Sequence, residues 1–334
     1  MILAGLLHQR LELLGGEPSL LRGRNRGRVD GGEELFRGVR DVARRAVGGR
    51  GADLLDGLLQ EVFRGLALAG RKGQAALMVE AERRAYADRA QFMGDADFVK
   101  VPVKKLTSDA YIKDRMSDFD PAKAGSSQAT PAGKIDPESE ETTHLSITDK
   151  NGNAVSITTT LNGGYGSKTV VGGAGFLLNN EMDDFSVKPG VPNMYGAVGA
   201  EANAIAPGKR MLSSMTPAIV LKNNKPYIVL GTPGGTTIPT SVFQTLVNML
   251  DFGMAPTEAI NQPKFHHQWQ PDEVAVEKDF PAAVVAGLKA MGYKIAVRNG
   301  IGRTEVVKIV YNASGKATID AAGDKRGDDS VEGF

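Results

Sequence analysis

Residues 142–162 read TTHLSITDKNGNAVSITTTLN, and this stretch decides the fold around it. Polar and apolar side chains alternate on both sides of an Asn151-Gly152 pair, which is the strongest short-range signal for a β-hairpin. The preceding residues, 120–141, are rich in Pro, Gly, Ser and charge and lack periodicity, as is typical of an accessible linker. The sequence therefore predicts a strand that begins at a threonine pair directly after an exposed linker.

The rest of the chain alternates hairpin, helix and strand patterns. Residues 216–235, TPAIVLKNNKPYIVLGTPGG, predict a second hairpin with its turn at Asn223-Asn224. Apolar periodicity indicates helices over residues 74–98 (ending near Gly94), 240–253 and 281–292, and strands around 294–298 and 305–311. This order of elements indicates an α+β layered domain rather than a parallel doubly wound sheet.

Composition limits the classes of partner. The chain has 334 residues, 41% hydrophobic and 24% charged, which is ordinary for a globular protein. A net charge of +1 gives no electrostatic reason to expect a nucleic acid partner, and the lack of cysteine excludes thiolate chemistry, disulfides and Cys-zinc sites. No apolar run approaches the roughly 20 residues needed to span a bilayer, and no export signal is visible at the N-terminus.

Residues 1–73 differ in character from the rest. Their basic residues are arginines, often beside glycine, until the first lysine at Lys72. Three interpretations stay open: a basic helical arm, a weakly ordered segment, or the product of a GC-rich gene read out of frame. We expect no functional motif in this region under any of them.

Thr142 is the first candidate for chemistry. A threonine hydroxyl is a weak nucleophile unless a base lies beside it, and a free α-amine with a pKa of about 8 can be that base. If the chain were cut ahead of Thr142, one residue would carry both nucleophile and base. The alternative is that Thr142 is an ordinary β-forming residue.

Three other stretches carry groups suited to binding or catalysis. In TPGG, residues 232–235, backbone N–H groups could converge on an oxyanion at a helix start, or the glycines could form a tight turn. In LLNNEMDDFS, residues 177–186, the three carboxylates could bind a substrate ammonium group, bind Ca²⁺ or cap a turn. Ser213 and Ser214 could hold a carboxylate, although serine pairs are common.

Two further patterns carry little weight. His266 and His267 are adjacent, so on a strand they point to opposite faces, and no third ligand lies at the spacing of a zinc motif. The glycine run at residues 172–176 lacks the strand and helix context of a nucleotide-binding loop. We therefore expect no metal and no cofactor.

Six collinear stretches carry a resemblance to a known family: YADRAQFMGDADFVKVP, TTHLSITDKNGNAVSITTTLN, GFLLNNEMDDFSVKPGVPNMYG, KRMLSSMTPAIV, GTPGGTTI and NQPKFHHQWQPDE. From residue 74 to the C-terminus the chain resembles the γ-glutamyltranspeptidase (glutathione hydrolase) family of N-terminal-nucleophile hydrolases. The resemblance implies a four-layer αββα sandwich. It also implies a proenzyme that cuts itself between Glu141 and Thr142, by attack of the Thr142 hydroxyl on the preceding carbonyl.

The resemblance assigns a role to each site residue. Thr142 would be the nucleophile and its freed amine the base. The other implied residues are Thr160, which orients the nucleophile; Gly234 and Gly235, which form the oxyanion hole; Asn162, Glu181 and Asp184, which hold the substrate α-amino group; Ser213 and Ser214, which meet its α-carboxylate; and Tyr195, the aromatic gate of a lid loop. The implied substrates are glutathione and other γ-glutamyl compounds, with water, amino acids or dipeptides as acceptors.

The resemblance also raises expectations about organisation. In the family a longer large subunit precedes the threonine, and we expect only its last part at residues 74–141, followed by a small subunit at 142–334; the two would form a heterodimer. The absent part would supply an arginine for the substrate α-carboxylate, and no residue in 1–70 matches it. A periplasmic or secreted location is implied. Alternatives are a truncated or misread relative without activity, and a related acylase such as cephalosporin acylase.

Overall fold

The computed structural model describes residues 73–129 and 142–333. The expectations for residues 1–72 and for the end of the linker lie outside these ranges. Within them the first helix, α1, covers residues 73–92, which confirms the helix predicted ahead of Gly94. Two short helices follow, α2 (Val103–Leu106) and α3 (Asp109–Arg115).

The predicted hairpin is present with the expected turn. Strands β1 (Thr142–Thr148) and β2 (Ala154–Thr160) are antiparallel, and Thr142 is registered opposite Thr160. The Asp149 side chain closes the turn, because its Oδ1 accepts the backbone N–H groups of Asn151 and Asn153, each at 2.9 Å. Gly152 has φ +84°, a conformation that glycine adopts without steric cost. The turn thus sets a register that brings the two terminal threonines together.

A four-stranded antiparallel sheet lies at the centre of the described region. Its strands are β3 (Ala218–Lys222), β4 (Lys225–Gly231), β8 (Glu305–Tyr311) and β9 (Ala317–Ala322), in that order. The second predicted hairpin is β3–β4, and its turn residues Asn223 and Asn224 have φ +52° and +58°. Positive φ at both positions is the requirement of a type I′ turn, which asparagine tolerates better than most residues.

Helices cover one face of this sheet and the β1–β2 hairpin covers the other. Helices α4 (Ile238–Leu250) and α5 (Pro256–Asn261) share an apolar core with the sheet, whose buried members include Ile228, Leu230, Val242, Leu246, Ile260 and Val306. On the opposite face Ser156 Oγ donates to the Leu230 carbonyl at 2.9 Å. The chain is therefore α+β, with helix, sheet and hairpin layers stacked in this order.

The outer face of the hairpin is apolar and only partly covered. Four side chains that alternate along β1 and β2 keep about half of their surface exposed: Leu145 at 49%, Ile147 at 48%, Val155 at 49% and Ile157 at 49%. Because a strand shows successive side chains to opposite faces, the other set (His144, Ser146, Ser156, Thr158) is the one directed at the central sheet.

A third sheet, which the sequence did not indicate in full, lies beside α1. Strands β5 (Phe265–His266) and β6 (Val274–Glu277) are antiparallel, and β7 (Ile295–Arg298) runs parallel to β6. Helix α6 (Ala282–Ala290) connects β6 to β7. Together α1, this sheet and α6 bury an apolar core that includes Val79, Val276 and Leu288.

The described start of the predicted linker is mostly exposed, as expected, but it is anchored at two points. Gly125 N–H donates to Glu80 Oε1 at 3.0 Å, and Ser127 N–H donates to Asp272 Oδ2 at 2.7 Å. The first bond attaches the segment to α1 and the second attaches it to the residues before β6, and Ser127 between them is buried. As for membranes, no helix in residues 73–129 or 142–333 combines the length and apolar character needed to cross a bilayer.

Candidate active site

Thr142 lies at the first position of β1, where the hairpin register aligns it with Thr160. The Thr142 hydroxyl donates to Thr160 Oγ1 at 3.3 Å, and Thr160 Oγ1 also accepts the Asn162 N–H at 2.8 Å. Asn162 is buried with φ +74°, so the chain turns sharply as β2 ends. The threonine oxygen that sequence reasoning singled out is thereby held at a defined place.

Gly234 and Gly235 form a sharp turn between β4 and α4. Their φ angles are +137° and +52°, both unfavourable for residues with a side chain. Gly235 opens a short 3₁₀ helix, Gly235–Thr237, that leads directly into α4. Thr237 bonds to the Gly234 carbonyl through its N–H at 2.9 Å and its hydroxyl at 2.7 Å. This turn can present backbone N–H groups to an anion at the positive end of a helix.

Tyr195 joins the glycine turn to the threonine pair. Its hydroxyl donates to the Asn162 carbonyl, and a Cβ added to Gly235 would lie 2.9 Å from the Tyr195 ring. The ring is 5% exposed, so it packs directly over the glycine. The sequence predictions for Thr142, Asn162, Tyr195 and Gly235 thus fall on one connected group of residues.

The three carboxylates lie on a 3₁₀ turn, Glu181–Asp184. Asp183 Oδ2 accepts the Met194 N–H at 2.8 Å, so Asp183 caps the loop that carries Tyr195. Asn162 reaches the same region, because its Nδ2 donates to the Asn180 carbonyl at 3.2 Å. Turn capping therefore accounts for Asp183, while Glu181 and Asp184 remain available to a ligand.

Burial sets the ionisation of this turn. It raises the pKa of Asp184 to about 6; the Arg89 guanidinium opposes that rise, and the charges of Glu181 and Asp183 add to it. Burial also raises the pKa of Glu181. Asp184 therefore changes charge close to physiological pH, unlike an ordinary aspartate.

Ser213 and Ser214 differ in their surroundings. Ser213 is exposed, and its Oγ accepts the Met215 N–H at 3.0 Å. Ser214 is partly buried, and its Oγ accepts a hydrogen bond from Arg89 Nη2 at 2.9 Å. Arg89 and Asp184 line the same small cavity between α1 and the carboxylate turn. The structure therefore connects Ser214 to the turn through a residue of α1.

Sequence reasoning missed several residues that support the site. Tyr86, on α1, donates its hydroxyl to the Thr236 carbonyl, directly after the glycine turn. Gln268 links two parts of the site: its Oε1 accepts from Thr236 Oγ1 at 2.6 Å and its Nε2 donates to the Tyr195 carbonyl at 3.0 Å. Tyr86 and Arg89 are three positions apart, so they share one face of α1. That spacing within YADRAQF was the one signal that could have indicated them.

His144 and His266 are structural supports. His144 Nδ1 bonds to Thr158 Oγ1 at 2.8 Å, and its Nε2 bonds to Ser146 Oγ at 3.0 Å. Burial lowers the pKa of His144 to about 4, so its ring is neutral at physiological pH. His266 bonds to Thr240 Oγ1 at 2.9 Å and to Gln268 Oε1 at 2.8 Å. Both rings thus serve as buried hydrogen-bonding groups within the layers.

The sequence matches known proteins over most of its length. A family model described as gamma-glutamyltranspeptidase matches residues 57–334, a start earlier than residue 74, where the motifs begin. The glutathione hydrolase proenzyme of Escherichia coli (strain K12) is 49% identical over 250 residues, covering 73% of this chain and 43% of that protein. The glutathione hydrolase proenzyme of Pseudomonas aeruginosa is 48% identical, covering 75% and 44%. The chain spans less than half the length of these two relatives.

Solved structures agree with the sequence matches. A point mutant of Helicobacter pylori gamma-glutamyltranspeptidase is 49% identical with a TM-score of 0.54, over 55% of this chain and 100% of that chain. Cephalosporin acylase from Bacillus halodurans is 26% identical with a TM-score of 0.62, over 78% of this chain and 45% of that chain. Because the family model covers well over half of the sequence, this chain belongs to the gamma-glutamyltranspeptidase family.

Proposed function

We propose that this chain carries the catalytic part of a γ-glutamyl transferase and hydrolase, with Thr142 as its nucleophile. The observation that carries the proposal is the placement of Thr142 at the start of β1, with its hydroxyl 3.3 Å from Thr160 Oγ1. Membership of the gamma-glutamyltranspeptidase family and the similarity to two glutathione hydrolase proenzymes support it. The two subunits expected on either side of residue 142 are part of this proposal.

The first step is self-cleavage. The Thr142 hydroxyl attacks the carbonyl carbon of Glu141, the bond from that carbon to the Thr142 nitrogen breaks, and the acyl group moves to Oγ as an ester. Water then hydrolyses the ester, which leaves a carboxylate on Glu141 and a free hydroxyl on Thr142. The nitrogen that was an amide becomes an amine. This amine is the base that a threonine nucleophile needs.

The second step is acyl transfer. The Thr142 amine takes the hydroxyl proton as Oγ attacks the γ-carbonyl carbon of the substrate, and the proton passes to the departing amine when the amide bond breaks. A γ-glutamyl-threonine ester remains, and water or an acceptor amine releases it. Thr160 orients Oγ through the contact described above, and the N–H groups of Gly234 and Gly235 stabilise the oxyanion.

The head group of the substrate would be held by opposite charges and hydroxyls. Asn162, Glu181 and Asp184 would meet the α-ammonium group, because two of them are carboxylates and the third bonds to the carbonyl of Asn180, the residue before Glu181. Ser213 and Ser214 would meet the α-carboxylate as hydroxyl donors. Tyr195, packed over Gly235, would close the site on its remaining side. Glutathione and other γ-glutamyl compounds carry this head group.

The proposal is tested by intact-mass spectrometry of the purified chain. We expect it to split into fragments that end at Glu141 and begin at Thr142, and then to release the amine from a γ-glutamyl anilide. Thr142→Ala should remain intact and inactive because it lacks the hydroxyl. Thr143→Ala is the matched control: Thr143 is the exposed neighbour on the opposite face of β1, so this variant should still cleave.

Two outcomes would favour the alternatives. A single intact mass without turnover would support a relative that keeps the motifs but has no activity. Cleavage with turnover of an acyl substrate that lacks the α-amino and α-carboxylate groups would support an acylase, the class of the Bacillus halodurans structure. The cluster of Asp184, Arg89 and Ser214 favours the γ-glutamyl class, since it offers charge to both ends of an amino-acid head group.

We further infer a periplasmic or secreted location and a heterodimer of the two cleaved fragments. Both follow from the family rather than from a feature of the fold. Fractionation of the producing cell, followed by immunoblotting of both fragments, tests them together.

A further inference from the structure

Arg89 lies in the YADRAQF stretch, where the sequence assigned it no role, yet it contacts the proposed site. Its Nη2 donates to Ser214 Oγ at 2.9 Å across 125 positions of sequence. Its guanidinium carbon lies 6.0 Å from the centre of the Tyr86 ring, one helical turn earlier on α1. Tyr86 in turn bonds to the carbonyl of Thr236. Arg89 is therefore part of a helix face that is attached to the site at two points.

The bond to Ser214 restricts where the serine proton can point. A hydroxyl has one proton to donate and two lone pairs that accept. Arginine is always protonated and can only donate, so Ser214 must accept from Arg89. The serine proton is then left for another acceptor, and in the proposed site that acceptor is the substrate α-carboxylate.

Arg89 also faces the carboxylate turn. Asp184 has two like charges on its own turn, Glu181 and Asp183, and Arg89 approaches it from α1 across the cavity that both line. The uncharged Asn193 and Asn203 line the same cavity. Arg89 is the cation that favours the charged form of Asp184 and so opposes the effect of its burial on the pKa.

We propose that Arg89 is a positioning residue for both ends of the substrate head group. It directs the Ser214 proton toward the α-carboxylate, and it balances the negative turn so that Asp184 can meet the α-ammonium group. Arg89 acts through these two residues rather than by touching the reacting atoms. The inference rests on the proposed function and deepens it, because this role of Arg89 selects substrates that carry both charges on one carbon.

The test compares Arg89→Gln, Arg89→Lys and Ser214→Ala in steady-state kinetics with a γ-glutamyl anilide across pH. We expect Arg89→Gln to raise KM by about tenfold or more with a smaller change in kcat, because a charge-assisted bond to the binding hydroxyl is lost. The pH below which KM rises should move upward in Arg89→Gln. This pH should be unchanged in Ser214→Ala, and in Arg89→Lys it should be close to the wild-type value again. The double variant Arg89→Gln/Ser214→Ala should raise KM by less than the product of the two single effects.

Arg115→Gln is the matched control. It breaks an ion pair of 3.0 Å with Asp88, the residue before Arg89, without contact to the proposed site, so KM and its pH dependence should stay unchanged. Self-cleavage of each variant reports that it folds. Calorimetric binding of L-glutamate gives a second readout that is independent of turnover.

The results separate two kinds of failure. If the wild-type chain is active and Arg89→Gln cleaves itself, binds L-glutamate and turns over substrate as the wild type does, the positioning role is overturned. If the wild-type chain neither turns over the anilide nor binds L-glutamate, the proposed function is overturned and this inference with it.

Discussion

Asp184 is a residue of the proposed site whose charge changes close to neutral pH. Burial raises its pKa to about 6, above the ordinary value for an aspartate, so the carboxylate is lost as the pH falls through that value. A protonated Asp184 no longer attracts an ammonium group. Substrate affinity is therefore expected to fall as the pH is lowered through the pKa of Asp184.

We predict that KM for a γ-glutamyl anilide rises as the pH is lowered below about 6, with the titration assigned to Asp184. Asp184→Asn should have a KM raised by about tenfold or more at neutral pH, since an ion pair is replaced by a weaker bond, and this acid limb should become smaller, with Glu181 as the remaining carboxylate. Steady-state kinetics from about pH 5 to about pH 8 measure both effects. An unchanged acid limb in Asp184→Asn would assign the titration elsewhere.

The candidate site residues could be predicted from the sequence, but the residues that hold them in place could not. Thr142, Asp184 and Ser214 were recognisable because each carries a group suited to one part of the proposed substrate head group or the proposed reaction. Arg89 carries an equally suitable group but lies on a helix with other arginines. Only tertiary packing distinguishes it from Arg84, whose Nη1 bonds to Glu80 Oε2 at 2.5 Å on the same helix.

The hairpin layer approaches the central sheet closely at Gly231. A Cβ added to Gly231 would lie 2.1 Å from Cε1 of His144, a distance that real side chains do not reach. His144 is buried there and bonded on both ring nitrogens, so it has little room to retreat. The glycine at the end of β4 is thus required by space rather than by its backbone angle.

We predict that Gly231→Ala destabilises the chain by about 1–3 kcal/mol, because the added methyl group overpacks this contact. Displacement of His144 would also move β1, so self-cleavage at Thr142 should slow. Urea unfolding and intact-mass time courses measure the two effects. Gly172→Ala, at a glycine with nothing within 4 Å of the added methyl group, should match the wild type. Equal stability of both variants would show that the layers are not tightly packed here.

The two hairpins could be predicted from their turn residues, whereas two short strands, β5 and β6, could not be predicted. The β1–β2 and β3–β4 hairpins were indicated by Asn151-Gly152 and Asn223-Asn224, which suit the backbone angles that their turns require. In contrast, Phe265–His266 and Val274–Glu277 are two and four residues long, too short to show a period. Their strand conformation depends on pairing with each other and with β7.

At the scale of the molecule, a buried ionic cluster ties the C-terminal segment to the rest. Lys264 and Asp324 form an ion pair of 3.0 Å, with side chains 3% and 0% exposed. Asp324 also accepts the Thr304 N–H at 2.9 Å and bonds to Arg326 at 2.8 Å. The cluster therefore joins the segment between α5 and β5, the residue before β8 and the segment after β9.

We predict that Asp324→Ala lowers the free energy of unfolding by about 3–5 kcal/mol, because it leaves the Lys264 ammonium group buried without its carboxylate. Urea denaturation followed by circular dichroism measures the change. Asp320→Ala, at an exposed aspartate on β9, is the control and should differ little from the wild type. A loss of less than about 1 kcal/mol for Asp324→Ala would mean that water reaches the cluster.

Helix α1 lies upstream of residue 142, and the groups that it holds, Thr236 and Ser214, lie downstream. The contacts of α1 with these downstream residues therefore do not require an intact peptide bond ahead of Thr142. If the peptide bond there is severed, these contacts can persist, and the covalent change is a new amine on Thr142 and a new carboxylate on Glu141. Activation of such a precursor would then be a covalent change in a chain that is already folded. It would differ from the activation of a zymogen that must refold before it is active.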